Sequence, residues 1–170
     1  MVRFHSSVLK SSNSASKMNN LVTTINYIVS RSTELKNKFT DASSAPVEFA
    51  CIFCQNEEEY KEFTDSIEKL GKIAERTQSG CTYLLNKPIE TVAGSLRLVK
   101  IRKPDIQRTE RGDVDFNTDY KRFKEKYQDD LKFELVKRET FEMLRLSDPD
   151  FDVMACFSNI PKSKDLRIKL

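Results

Sequence analysis

Cys51-Ile52-Phe53-Cys54 sets two thiols at C-x-x-C spacing between a strand-like run and a helix start, where such a pair can cycle between dithiol and disulfide. That chemistry needs an exposed thiolate at the head of the helix. The two cysteines are three positions apart, so strand alternation sends their sulfurs to opposite faces, and Ile52 and Phe53 between them suit a buried strand. Redox chemistry at Cys51 and Cys54 therefore stands as an alternative reading. Zinc at Cys51, Cys54, Cys81 and Cys156 lacks the second close pair that structural sites use. A second group, Arg102, Lys103, Arg108 and Arg111, could grip an anionic ligand through guanidinium–oxygen pairs. Asp105, Glu110 and Asp113 interleave with it, so the plainer reading is a solvated loop of mixed charge. The chain has one histidine, His5, and no Gly-rich phosphate loop, serine-nucleophile elbow or HExxH helix. The common hydrolase and nucleotide-binding classes find no support.

The elements that would position these groups are written twice. Glu59-Tyr60-Lys61-Glu62-Phe63 and Asp119-Tyr120-Lys121-Arg122-Phe123 repeat one pattern sixty positions apart. Each follows a strand-like run, Val47 to Cys54 or Asp113 to Phe116, and precedes several more. In the first unit Asn56 can cap the helix and three glutamates face its positive end, with Tyr60, Phe63, Ile67 and Leu70 as the buried stripe and Gly71 at its end. Strands are expected at Cys81–Leu85, Ile89–Val92 and Leu96–Arg102. Residues 105–112 are a linker. The second unit predicts a helix at Thr118–Tyr127 and strands at Phe133–Lys137, Phe141–Ser147 and Val153–Phe157, with Asp148-Pro149-Asp150 as a turn.

Ahead of both units, Leu21, Val22, Ile25, Ile28, Val29 and Leu35 make one face of a helix over Met18–Phe39, which Pro46 separates from the first strand. On that strand Val47, Phe49, Cys51 and Phe53 share one face, expected to meet a helix, and Glu48, Ala50, Ile52 and Cys54 share the other.

A chain of 170 residues, 38% hydrophobic, can bury one ordinary core. No apolar run nears the roughly 18 residues that span a bilayer, so a soluble protein without a membrane partner is expected. Arg3, Lys10 and Lys17 account for the whole net charge of +3, and the rest is neutral. A neutral body argues against a nucleic-acid partner. Residues 1–17 hold six serines and no acid, which reads as a disordered or targeting extension. The compartment is then cytoplasmic, or the mitochondrial matrix if that segment is a transit peptide. A single domain is expected over residues 18–160, with modules at about 46–103 and 112–158 and a basic tail at 161–170 without a fold signal.

The order of strand, helix and three strands, twice over, resembles the vicinal-oxygen-chelate superfamily, the glyoxalase and bleomycin-resistance type. Cys54-Gln55-Asn56, Leu70-Gly71-Lys72, Lys87-Pro88-Ile89 and the run from Leu96 to Pro104 resemble more specifically its YecM-type branch, whose members are thought to bind metal and have no known activity. The resemblance implies an α+β fold in which two βαβββ-like modules form a half-open mixed sheet or barrel behind an N-terminal helix. It also implies a small-molecule ligand in the cavity between the modules and leaves a homodimer open. Metal ligands in such proteins lie on the first strand and a late strand of each module. Matching by Cys54-Gln55-Asn56 and by Gly112 brings Glu48 and Asp115 to positions where the branch has histidine, with Glu142 as the third candidate. An oxygen-only set favours Mg²⁺, Ca²⁺ or Mn²⁺ over Zn²⁺, and one divalent ion, Mg²⁺, Mn²⁺ or Zn²⁺, is the implied cofactor. The alternative is a non-catalytic interaction or sequestration protein that has lost the metal, its acids paired with Arg97, Lys100 or Arg102.

Overall fold

The apolar stripe of the first helix decides where everything else sits. In a computed structural model that describes residues 5–170, with side chains from Asn13, α1 (His5–Phe39) buries Leu21, Ile25, Ile28, Val29 and Leu35 completely. The helix begins well before Met18: residues 5–17, expected to be a disordered or targeting extension, continue α1, and Ser14 accepts a hydrogen bond from Lys69 (2.8 Å). Lys36, in the last turn, is fully buried without a carboxylate partner. Its ammonium donates to the carbonyls of Ala42 (2.6 Å) and Ser43 (3.1 Å) and to Asn37 Oδ1 (2.8 Å). That ties the loop after α1 to the helix end. Among the described residues no helix is long and apolar enough to cross a membrane.

The first module is β1 (Val47–Phe53), α2 (Glu57–Ile67), β2 (Gly71–Thr77), β3 (Gly80–Thr91) and β4 (Gly94–Arg102). The second is β5 (Gly112–Phe116), α3 (Tyr120–Tyr127), β6 (Phe133–Lys137), β7 (Glu142–Leu146) and β8 (Val153–Ser158). Together the strands form one mixed, unclosed sheet of eight in the order β2-β3-β4-β1-β5-β8-β7-β6. Each module runs outward from the centre as first, fourth, third and second strand, with the first and fourth parallel. The two first strands, β1 and β5, pair antiparallel and join the halves. Gly112 opens β5 at that seam, where an added Cβ would stand 2.2 Å from the Cys51 carbonyl oxygen and 2.9 Å from Ile28. Only glycine lets strand and helix approach so closely.

The repeated motif is the same device in both halves. Asn56 caps α2 by accepting from the Glu59 N–H (2.8 Å), and Asp119 caps α3 by accepting from the Arg122 N–H (3.4 Å). Phe63 and Phe123 are buried beneath their helices, and Phe123 stacks on Phe157 of β8 at 4.0 Å between ring centres. Two sequence expectations change. Residues 71–77, read as the end of a helix and a gap, form β2, whose charged, half-exposed composition marks an edge strand. Residues 80–91 form one strand with an irregular register between Leu84 and Ile89, where Lys87-Pro88 suggested a break.

Candidate functional site

Alternation on the two central strands builds a polar face opposite the helices. Val114 and Phe116 of β5 pack into the main core with α1, which leaves Asp113 and Asp115 on the other side. On β1 it is Ala50 and Ile52 that join the main core, while Phe49 and Cys51 line the opposite face beside Asp113 and Asp115. The aromatic face of β1 therefore looks away from α1, α2 and α3, and the helix it meets is the short one at Lys162–Asp165, whose Lys162 stands over the Phe49 ring at 5.9 Å. Two rows cross the sheet there. One runs Glu75, Thr82, Lys100, Cys51, Asp113, Met154, and the other runs Phe49, Asp115, Cys156, Arg145, Glu134, each residue the register partner of the next.

Where the rows meet at the β1/β5 seam lies a cavity of about 180 Å³. A larger depression of about 620 Å³ lies between α1 and the loops at 109–110 and 147–152, but it is an open surface trough. The smaller cavity concentrates the charge. Lys100, Arg102, Arg138, Arg145 and Lys162 line it against Asp113, Asp115 and Asp165. Burial pushes the Asp113 carboxyl up to about 6 although Arg145, Arg102, Arg108 and Lys100 all favour its charge. Burial and the neighbouring Asp113 carry Asp115 to about 7, against the hydrogen bond that Ser158 Oγ donates to it (3.1 Å). Carboxyls that titrate near neutrality can give a proton to a bound molecule or take one from it. Burial also lowers Lys100.

The two arginines are held but not satisfied. Arg102 stacks over the Phe53 ring at 5.2 Å and its Nη2 lies 3.6 Å from Asp105. Arg145 Nη1 lies 3.6 Å from Glu134. Of the buried side-chain polar atoms left without a hydrogen-bond partner among the described residues, the two on charged groups are Arg102 Nε and Arg145 Nε. A buried donor on a cation without an acceptor is costly. Both residues line the cavity, with these two atoms covered.

The carboxylates proposed as metal ligands do not converge. The register shift between Val47 and Phe49 leaves Glu48 without a partner on β5, and both its oxygens are engaged, by the Ser163 N–H (2.7 Å) and by Asn117 Nδ2 (2.9 Å). Glu142 shares its face of β7 with Leu144 and Leu146 of the main core, so it meets α3, where Tyr120 (3.0 Å) and Lys124 (2.6 Å) bind it. Asp115 alone enters the cavity. No group of three His, Cys, Asp or Glu side chains suited to a metal ion occurs among the described residues, and the cavity that holds Asp115 is lined mainly by cations. The donor set that the resemblance implies does not fit here.

Of the predicted anion-binding arginines only Arg102 reaches the cavity. Arg111 is spent on Glu59 (2.7 Å) and the Phe53 carbonyl (3.2 Å), joining the linker to α2. Arg108 stays in the linker, near enough to favour ionised Asp113. Arg97 donates to the Leu85 carbonyl. Cys51 and Cys54 fall in separate apolar clusters, and burial raises both thiols, Cys54 to about 12. Sequence reasoning missed Arg145, Asp113 and the C-terminal residues. The first two were within reach: Arg145 alternates with Leu144 and Leu146, and Asp113 lies two positions from Asp115. The last came from the segment expected to be a tail. It forms a short helix, α4 (Lys162–Asp165), that brings Lys162 and Asp165 to the cavity, with Lys162 paired to Glu75 at 2.8 Å.

No protein-family model matches the chain, and no curated protein matches it in sequence. A comparison with solved structures finds two matches. The chain is similar to a structural-genomics protein designated EC4020, with a TM-score of 0.70 at 9% identity, over 89% of this chain and 92% of that one. The likeness shows a shared fold. A glyoxalase/bleomycin resistance protein/dioxygenase superfamily member from Vibrio splendidus 12B01 matches at a TM-score of 0.36 and 13% identity, over 65% of this chain and 94% of that one. That likeness is too slight to bear on the fold.

Proposed function

We propose that this protein binds a small anion in the cavity at the seam of its two modules, on a scaffold of the vicinal-oxygen-chelate type. The observation that carries the reading is the basic lining of that cavity, Lys100, Arg102, Arg138, Arg145 and Lys162, in which Arg102 and Arg145 also keep a buried Nε–H without an acceptor among the described residues. Guanidinium groups with N–H donors to spare are suited to carboxylate or phosphate oxygens. Small ligands need such convergent polar groups in a concave site. The twofold βαβββ order and the central pairing of first strands support the superfamily reading, and the YecM-type branch is its finer form.

The test is calorimetric titration of the full chain with inorganic phosphate, sulfate and short carboxylates. A charge-assisted hydrogen bond contributes about 1.5–3 kcal/mol, so Arg102→Gln and Arg145→Gln should each weaken binding by roughly 10- to 100-fold. Failure of all these anions to bind, or unchanged affinity in both variants, overturns the reading.

A further inference from the structure

The chain leaves the second module at the end of β8 and fastens itself to the first. Asn159 is bonded to β7 in both directions: its N–H donates to the Glu142 carbonyl and its Oδ1 accepts from the Glu142 N–H, each at 3.0 Å. From that root Ile160 and Pro161 lead into α4, which two contacts hold. The Ser163 N–H donates to Glu48 on β1 (2.7 Å), and Lys162 pairs with Glu75 on β2 (2.8 Å). Among the described residues these are the hydrogen bonds and ion pairs that join residues 160–170 to the rest of the chain. The root belongs to one module and both anchors to the other, so the segment crosses the seam. Ile160, Lys162 and Asp165 form its part of the cavity wall.

The segment is fastened but not packed in. β8 is buried from Val153 to Phe157, and no residue after it is. α4 has a single turn and no side-chain cap. An apolar element resists leaving because its whole buried area meets water, whereas a segment held by two polar contacts gives up those alone and water replaces them. Such pieces open at free energies far below that of global unfolding. The body is not left bare, since Asn117 still donates to Glu48 (2.9 Å) and Thr82 to Glu75 (3.4 Å). We infer that residues 160–166 are a lid on the seam cavity, rooted at Asn159, which admits and releases ligand by letting go of Glu48 and Glu75. Such a lid serves a ligand of any charge, so it stands whether or not the cavity takes anions. Cys51 reports on it. Of the four cysteines Cys51 alone lines the cavity, and it is 5% exposed with the lid docked. Cys54 belongs to the main core on the opposite face of the sheet and gives the control.

The experiment compares the full wild-type chain with the double variant Lys162→Ala, Ser163→Pro, which removes the cation and the N–H donor from the lid and leaves the sheet unchanged. Each protein is labelled under native conditions with methyl methanethiosulfonate, the sites are mapped by mass spectrometry, and amide exchange is followed at residues 164–166. In the variant those amides should exchange faster, Cys51 should label roughly tenfold faster or more, and Cys54 should keep its wild-type rate. An unchanged Cys51 rate beside faster exchange would show that the segment does not close the cavity. Equal acceleration of Cys51 and Cys54 would make it a staple of the whole fold, and unchanged exchange would mean that the two contacts do not hold it; each of these results overturns the lid. If the double variant does not fold, Lys162→Ala alone carries the same comparison, with a smaller acceleration of Cys51 over Cys54 expected.

Discussion

Replacing Asp115 by asparagine should stabilise this protein at neutral and alkaline pH, by an amount that vanishes in acid. Asp115 is held by burial and by Asp113 at about 7, far above its ordinary value of 3.8, so the folded chain binds this proton more tightly than the unfolded chain. Between about pH 4 and pH 7 the unfolded state has released the proton while the folded state keeps it, and stability falls as pH rises. Below that window both states hold the proton. Above it both have lost it and the destabilisation is constant. The ceiling is about 4 kcal/mol, from about 1.4 kcal/mol for each tenfold change in proton affinity. Asp115 is open to the cavity and shares its effect with Asp113, which reduces the expected figure to about 1–2 kcal/mol. The asparagine oxygen still accepts from Ser158, so the hydrogen bond at 3.1 Å is kept. For a chain of this size the gain corresponds to a rise in Tm of about 3–6 °C at pH 8, read by thermal unfolding of both proteins at pH 4.5, 6 and 8. A variant that is less stable at pH 8, or a difference that does not change with pH, would refute the account of a buried carboxylate held at a cost.

Three further outcomes are expected. Phe157, fully buried and stacked on Phe123, should cost about 3–5 kcal/mol when replaced by alanine, measured by urea denaturation, and a loss below about 1 kcal/mol would contradict the aromatic core. Cys51 and Cys54 should resist iodoacetamide in the native protein at pH 8 and react on unfolding; rapid native modification of either would contradict their burial and raised thiols. Glu48→Ala should free the start of α4, read as faster amide exchange across residues 160–166, and protection equal to the wild type would show that the Ser163 contact does not hold the segment.

Local signals were enough for much of the architecture. The motif around Tyr60 and Tyr120, with its caps at Asn56 and Asp119, marks two equivalent helices, because capping and a buried stripe are properties of a few neighbouring residues. From these and the flanking apolar runs came the twofold order of elements. Edge strand β2 escaped because its side chains are charged and half-exposed, leaving no apolar period to detect. α4 escaped because it has one turn and is held by Glu48 and Glu75, residues more than eighty positions away.

The site divides in the same way. What the sequence by itself determined is which side chains could serve: its carboxylates, arginines and cysteines, and the alternation that puts Asp113 and Asp115 on one face. What only the tertiary structure decided is which of them meet. A one-residue irregularity at Glu48 redirected that carboxylate to Ser163 and Asn117, and the register of β7 turned Glu142 toward α3 and Arg145 toward the cavity. The physical reason is the two-residue period of a strand, in which one irregularity or one choice of buried face reverses every side chain that follows. A cavity between modules collects residues from β1, β4, β5, β7 and α4, and their convergence belongs to the folded chain alone.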